Sequence, residues 1–237
     1  MLTFHDLPTP SFQVFERSDE PLDPELSFPL FVKPSGQGTG MGISAQSIVR
    51  AEDQLRTQVD RMLDAYQEPV LVERFISGRD LTVGLVGNLR PPVAWRTPED
   101  EEAPRVARGL TFLPPLEIEL GAYAEEEGQV YTGRAKVELA DKLNYICPAH
   151  LTPDQVEELN WLAAVTFRVT GCLDVVRIDF RLDETDDEKP YILEVNPLPG
   201  LSPGISDLVI EAQETDVDHA ELVNLILEAA LERYGMI

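Results

Sequence analysis

Residues 192–200, ILEVNPLPG, carry Glu194 and Asn196 two positions apart in an apolar run that then turns through Pro197, Pro199 and Gly200. A core strand has no use for those side-chain oxygens, whereas a hard cation does. Asp, Glu and Asn oxygens are the ligands Mg²⁺ takes, usually completed by substrate phosphates. Just upstream, VVRIDFRLD (175–183) alternates, with Val176, Ile178, Phe180 and Leu182 on one face and Arg177, Asp179 and Arg181 on the other. In YILEVN (191–196), alternation places Ile192, Glu194 and Asn196 on one face and Tyr191, Leu193 and Val195 on its opposite. A hairpin centred on Asp186 and Asp187 sets Asp179 opposite Glu194 and Arg177 opposite Asn196. A slip of one residue would bury the charges. Two carboxylates about 4 Å apart repel by roughly 4 kcal/mol at an effective dielectric near 20, so a cation belongs beside them. The candidates are a divalent metal and Arg177, the latter as a solvated Arg177–Glu194 ion pair.

A second cluster lies in FVKPSGQGTGMGI, where Lys33 ends an apolar strand and glycines follow at 36, 38, 40 and 42. Successive N–H groups in such a loop form an anion nest, and a plain flexible hairpin loop fits the same pattern. No Gly-Lys-Ser/Thr closes a P-loop, and Met41 stands where a dinucleotide fingerprint needs its third glycine. LVERFISGRDLTVG adds Glu73 and Asp80 around a turn. Carboxylates there can accept hydrogen bonds from an adenine amino group and ribose hydroxyls, or be ordinary surface charges.

The elements that must position these residues follow from periodicity. Residues 11–15, 29–34, 70–75, 81–86, 173–182 and 190–195 read as strands, with Gly78 in the turn between the third and fourth. Ile48, Leu55, Val59, Met62, Leu63 and Tyr66 give residues 46–66 a helical face. TPDQ (152–155) opens a second helix with a capping box and ends it at Gly171. Asp218 and Glu221 cap a third, 219–234. Trp161 and Phe167 belong to the core of the second helix. Residues 97–108 and 121–135 show no periodicity. Strands in pairs separated by helices predict an α+β fold of antiparallel layers, divided near residue 90 into lobes 1–90 and 91–237.

The 237 residues, 43% hydrophobic and 26% charged, are enough for one large domain or two small ones. A net charge of −24 argues against nucleic-acid or membrane surfaces. It suits a high-salt cytoplasm or an ordinary acidic surface equally. Only four lysines accompany 15 arginines, which draws attention to Lys33 and Lys136. Cys147 and Cys172 have no metal or redox spacing and read as inert thiols. His5, His150 and His219 are scattered. With no signal peptide or membrane span visible, the expected location is the cytoplasm.

Taken in order, FPLFVKPSGQGTGMGI, VLVERFISGRDLTVGLVGN, the AK of YTGRAKVEL, CPAHLT, and VVRIDFRLD with YILEVNPLPGLSP resemble the ATP-grasp ligases, and among them the D-alanine–D-alanine ligases. The resemblance runs from about residue 7 to 213. It implies two α+β lobes sandwiching ATP, and an ATP-dependent carboxylate–amine ligase of the peptidoglycan-synthesis type working through an acyl phosphate. It implies Lys33 and Lys136 on the ATP phosphates, with the loop of Gly36, Gly38, Thr39 and Gly40 as a flap. Glu73, Phe75 and Ile76 would hold adenine, and Asp80 the ribose. Asp179, Glu194 and Asn196 would bind two Mg²⁺ ions, with Mn²⁺ able to substitute. Arg177 and the Gly200 N–H would stabilise the oxyanion, and Ser206 would meet the second amino acid.

The chain departs from that pattern in several places. Thr39 and Gly40 replace paired serines, Gln37 replaces an acid, Asp80 replaces Glu, and Val137 replaces a tyrosine after Lys136. Ligases of that family carry an N-terminal domain that binds the first D-alanine, and the resemblance places Met1 inside what would be the central domain. The expectations are therefore a ligase of the D-alanine–D-alanine type acting on small amino acids or dipeptides, a ligase for a different amino-acid pair, or an ATP-binding module without ligase activity of its own. A homodimer or a partner chain that supplies the missing wall is the other expectation for the ligase.

Overall fold

The computed structural model describes residues 1–37, 40–89, 109–124, 130, 139 and 142–237. Its frame is two antiparallel sheets facing each other across a cleft. The first consists of β1 (Phe12–Phe15), β2 (Leu30–Pro34), β3 (Ile48–Val49) and β4 (Val70–Arg74), in the order β1-β4-β2-β3. Helix α1 (Glu52–Tyr66) covers its outer face, where Leu55, Val59 and Met62 pack on Phe15, Leu30, Val32, Val70 and Val72. The periodic stretch from residue 46 is thus not all helix. Ser44 caps a short 3₁₀ turn and Ile48 pairs with Phe31, because that edge of β2 has backbone groups to satisfy.

The second sheet contains β5 (Gly78–Gly87), β6 (Leu110–Phe112), β7 (Leu116–Glu119), β8 (Asn144–Ile146), β9 (Val175–Asp183) and β10 (Lys189–Asn196). Its order is β10-β9-β5-β7-β8, with β6 on the far end of β5. Every pairing is antiparallel, so the α+β expectation is met. Helix α2 (Pro153–Thr170) places Leu159, Leu162, Ala163 and Phe167 against Leu81, Val83, Ile178 and Phe180. Its capping box forms as expected: Thr152 Oγ1 accepts the Gln155 N–H and Gln155 Oε1 accepts the Thr152 N–H. Trp161 is half-buried against the same core. Asp218 accepts the Glu221 N–H and starts α4 (His219–Arg233).

Two local expectations are corrected. Residues 70–75 and 81–86 are not partners in a hairpin: β4 belongs to the first sheet and β5 to the second. Gly78 opens β5 rather than turning between strands, and any Cβ there would stand 1.8 Å from the Leu182 carbonyl oxygen. The short helix α3 (Asp207–Gln213) was not anticipated. It buries Leu208, Val209 and Ala212 against Val86, Leu113, Val175 and Leu222.

Contacts between the two sheets fix the cleft. Arg74 at the end of β4 bonds Asp183 at the end of β9, 3.0 Å apart. The N-terminal segment crosses to the second sheet, where Thr9 Oγ1 donates to the Ile192 carbonyl and the Pro8 carbonyl accepts the Ile192 N–H.

Candidate active site

A cleft of about 360 Å³ opens between the sheets. From the first sheet come Lys33 and Glu73, with Gly40, Phe75 and Ile76 from the segments that follow its strands; from the second come Asp80, Asp179 and Glu194. Residues from separate stretches of the chain thus line one cavity. Gly36, Arg177, Asn196, Gly200 and Ser206 lie beside it, outside its lining. Gly38, Thr39 and Lys136 fall outside the described residues.

The carboxylate hairpin has the expected partners but reaches them by an unexpected route. Asp179 is opposite Glu194 and Arg177 is opposite Asn196. Nearer the turn the register differs: Phe180 pairs with Ile192 and Leu182 with Pro190, and Leu193 is the extra residue of a bulge. Simple alternation would have kept Ile192 and Glu194 on one face. Instead Ile192 is fully buried in the core while Leu193 and Glu194 line the cleft. A bulge re-aims the side chains that follow it, and without this one Glu194 would oppose core-facing Ile178.

The Arg177–Glu194 ion pair does not form. Arg177 instead grips its own strand neighbour, with Nε and Nη2 at 2.7 and 2.9 Å from the two Asp179 oxygens. Its Nη1 lies 2.9 Å from Asp207 Oδ2. Burial opposes the Arg177 charge, but Asp179, then Asp207 and Glu211, outweigh it and hold the guanidinium pKa above its ordinary value. Asn196 Nδ2 donates to Asp179 Oδ2 at 3.1 Å, leaving its amide oxygen for another partner.

Among the described residues no three His, Cys, Asp or Glu side chains gather into a metal site. The oxygens that could serve a cation are those of the Asp179 and Glu194 carboxylates, on paired positions of β9 and β10, with the Asn196 amide. Two carboxylates with room for water and phosphate oxygens fit Mg²⁺, which binds few protein ligands.

At the other end Lys33 Nζ and Glu73 Oε2 meet at 2.6 Å, and Lys33 lies 6.0 Å from the centre of the Phe31 ring. Phe31 and Phe75 stack with centroids 6.4 Å apart, and the Arg181 guanidinium sits 5.4 Å from the Phe75 ring. Arg181 also pairs with Asp80 at 3.1 Å. This end offers flat apolar and guanidinium surfaces beside hydrogen-bonding carboxylates, which suits an aromatic base. Sequence reasoning had placed Arg181 on the site face without giving it a role, and had missed Phe31, Arg74 and Asp207. For Arg181 the signal was its shared face with Arg177 and Asp179.

The glycine loop is anchored by a residue not anticipated. Glu68 accepts from the Gly36 N–H at 2.9 Å and from Gln37 Nε2 at 3.0 Å. Glu211 is fully buried beside the cleft-lining Thr82, whose hydroxyl donates to Oε1. Burial pushes its carboxyl up to about 8, with Asp207 and Asp179 adding to the rise. Cys147 is unpaired and its thiol is pushed up to about 12 by burial, in keeping with an inert residue.

Residues 1–98 and 116–228 match the family model described as D-ala D-ala ligase C-terminus. The chain belongs to the D-alanine–D-alanine ligase family of the ATP-grasp superfamily. It is 32% identical over 228 residues to the uncharacterised protein y4sG of Sinorhizobium fredii, covering 96% of this chain and 59% of that one. It is 32% identical to a D-alanine–D-alanine ligase of Cupriavidus metallidurans, covering 95% of this chain and 60% of that ligase. The chain thus spans about three fifths of these relatives' length. The Bacillus anthracis D-alanine–D-alanine ligase complexed with ATP superposes with a TM-score of 0.69 at 20% identity, over 98% of this chain and 63% of that one. That superposition shows the shared ATP-grasp fold. Among the described residues no helix is long and apolar enough to cross a membrane.

Proposed function

We propose that this ATP-grasp chain is a carboxylate–amine ligase that spends ATP to form an amide bond between small amino-acid or dipeptide substrates. A substrate carboxylate attacks the γ-phosphate, giving an acyl phosphate and ADP. An amine then attacks the activated carbon and inorganic phosphate leaves. The observation that carries this reading is the single cleft in which Lys33 and Glu73 of one sheet face Asp179 and Glu194 of the other.

In this reading Lys33 and Lys136 neutralise phosphate charge and the glycine loop closes over it. Glu73 accepts from the adenine amino group beside Phe75 and Ile76, and Asp80 takes the ribose. ATP would exchange the Lys33–Glu73 ion pair for contacts with its own groups. Asp179, Glu194 and Asn196 would hold Mg²⁺, which supplies Lewis-acid neutralisation of the phosphates when bound. Arg177 and the Gly200 N–H steady the charge that develops on the carbonyl oxygen, with Ser206 next to the acceptor. The relatives named as D-alanine–D-alanine ligases make D-alanine the first donor to try.

The test is phosphate release from Mg-ATP with panels of D- and L-amino acids, beside calorimetric titration of Mg-ATP. Turnover with any pair supports the ligase. ATP binding without turnover for any pair would leave an ATP-binding module that works with a partner.

A further inference from the structure

The glycine loop rests on the turn that follows α1. That helix ends at Tyr66, and Gln67 after it takes a left-handed backbone (φ 53°) that redirects the chain toward β4. The Pro69 carbonyl then accepts the Ser35 N–H at 3.1 Å, and Val70 pairs with Pro34. Between these points Glu68 meets the loop twice. Its Oε1 accepts the Gly36 N–H at 2.9 Å, and its Oε2 accepts from Gln37 Nε2 at 3.0 Å. A Cβ on Gly36 would stand 2.9 Å from Glu68 Oε2, so the loop backbone lies directly against the carboxylate. The far stem returns to the same platform. At Gly42, with φ +81°, a Cβ would come within 2.9 Å of Pro34 Cγ and 3.0 Å of Tyr66 Oη. Ser35, Gln37 and Gly40 line the cleft, whereas Gly36 and Glu68 do not.

We infer that Glu68 is a positioning residue for nucleotide binding: by holding the Gly36 N–H and the Gln37 amide it fixes where the glycine loop enters the phosphate end of the cleft. The inference rests on the ATP-binding part of the reading above. A loop whose entry is already fixed loses less freedom when it closes on a ligand, so the anchor strengthens Mg-ATP binding without touching the nucleotide. It also sorts the glycines by task. The Gly36 N–H belongs to Glu68 and is not a phosphate donor, while Gln37 and Gly40 face the cleft. Residues 37 and 68 form a matched pair. The Gln37 amide donates to the carboxylate, whereas an acid at position 37 would set two carboxylates within hydrogen-bonding distance, where like charges repel and no donor joins them.

The experiment is calorimetric titration of Mg-ATP into the full chain and three variants. Glu68→Ala releases the loop entry and should weaken binding about tenfold. Gln37→Glu should weaken it by a similar factor. Combining Gln37→Glu with Glu68→Gln reverses the pair, since an amide at 68 can still accept from Gly36 and can donate to an acid at 37. Its affinity should return to within about threefold of wild type. Hydrogen exchange gives a readout without nucleotide. In Glu68→Ala the Gly36 amide should exchange at least about tenfold faster, while the Leu55 amide within α1 keeps its wild-type rate. A double variant that binds as weakly as Gln37→Glu alone overturns the inference, because the new acid then acts on the phosphates directly. Glu68→Ala with wild-type affinity, or with wild-type exchange at Gly36, also overturns it. All of these results leave the ATP reading intact. A wild type that ignores Mg-ATP removes that reading, and the inference with it.

Discussion

Lys33 and Glu73 illustrate how single residues are held here, because each satisfies the other at 2.6 Å; in the proposed reading a nucleotide would separate them. Lys33→Ala would remove the proposed charge-assisted contact with phosphate and leave buried Glu73 without its ion-pair partner. Calorimetry should show Mg-ATP binding weakened about 10- to 100-fold, as loss of a charged hydrogen bond implies. The ligand-free variant should also melt earlier. Glu194→Gln keeps the shape of the bulged strand end but removes half of the paired carboxylate charge. Mg-ATP-dependent phosphate release should fall at least about 100-fold, with the circular dichroism spectrum unchanged. Retained activity would remove Glu194 from the proposed metal site. At this scale residue type was legible for Asp179, Glu194 and Lys33, while the bulge at Leu193 decided the face of Glu194. Partners were not: Arg177 pairs with Asp179 and Asp207, because Asp207 arrives on a helix far along the chain.

Elements show the same division. The α2 capping box was readable because its two hydrogen bonds lie within four residues. Thr152→Ala should cost about 1 kcal/mol in urea denaturation. Helix α3 and the bulge at Leu193 gave no such local signal, since both are decided by what packs against them. Glu211 on α3 is the sharpest case. Its Oε2 lies 2.2 Å from where a Cβ on Gly84 would stand, so β5 needs glycine there. Gly84→Ala should destabilise the fold by about 1–3 kcal/mol, the usual cost of overpacking. Glu211 also makes stability depend on pH. Its carboxyl is raised from 4.5 to about 8 by burial, so between those values the folded chain keeps a proton that the unfolded chain has lost. This contribution is complete below pH 4.5 and is lost as pH rises toward about 8. Glu211→Gln should remove that part of the decline, and urea titrations of both proteins across the window measure the difference.

For the whole molecule the dominant fact is a net charge of −24. Self-repulsion at that charge opposes compaction. Raising KCl from about 0.1 to about 1 M shortens the screening length from about 10 to about 3 Å. The thermal midpoint should rise across that range. A flat response would mean that the acids are compensated locally. Two sheets meeting across a cleft also explain why binding residues are scattered along the chain. Each sheet folds on its own core, and the groups that face the gap need not be neighbours in sequence.

What the sequence determined by itself was local and periodic: alternating strands, helix caps, the glycine loop, and the kinds of oxygen and nitrogen available for chemistry. These follow from short-range sterics and hydrogen bonding, which a window of a few residues contains. Only the tertiary structure decided that Glu73 and Asp80 sit in different sheets, that a bulge turns Glu194 out of the core, and that Asp207 reaches Arg177. Those outcomes depend on long-range packing and on charges brought together from distant segments.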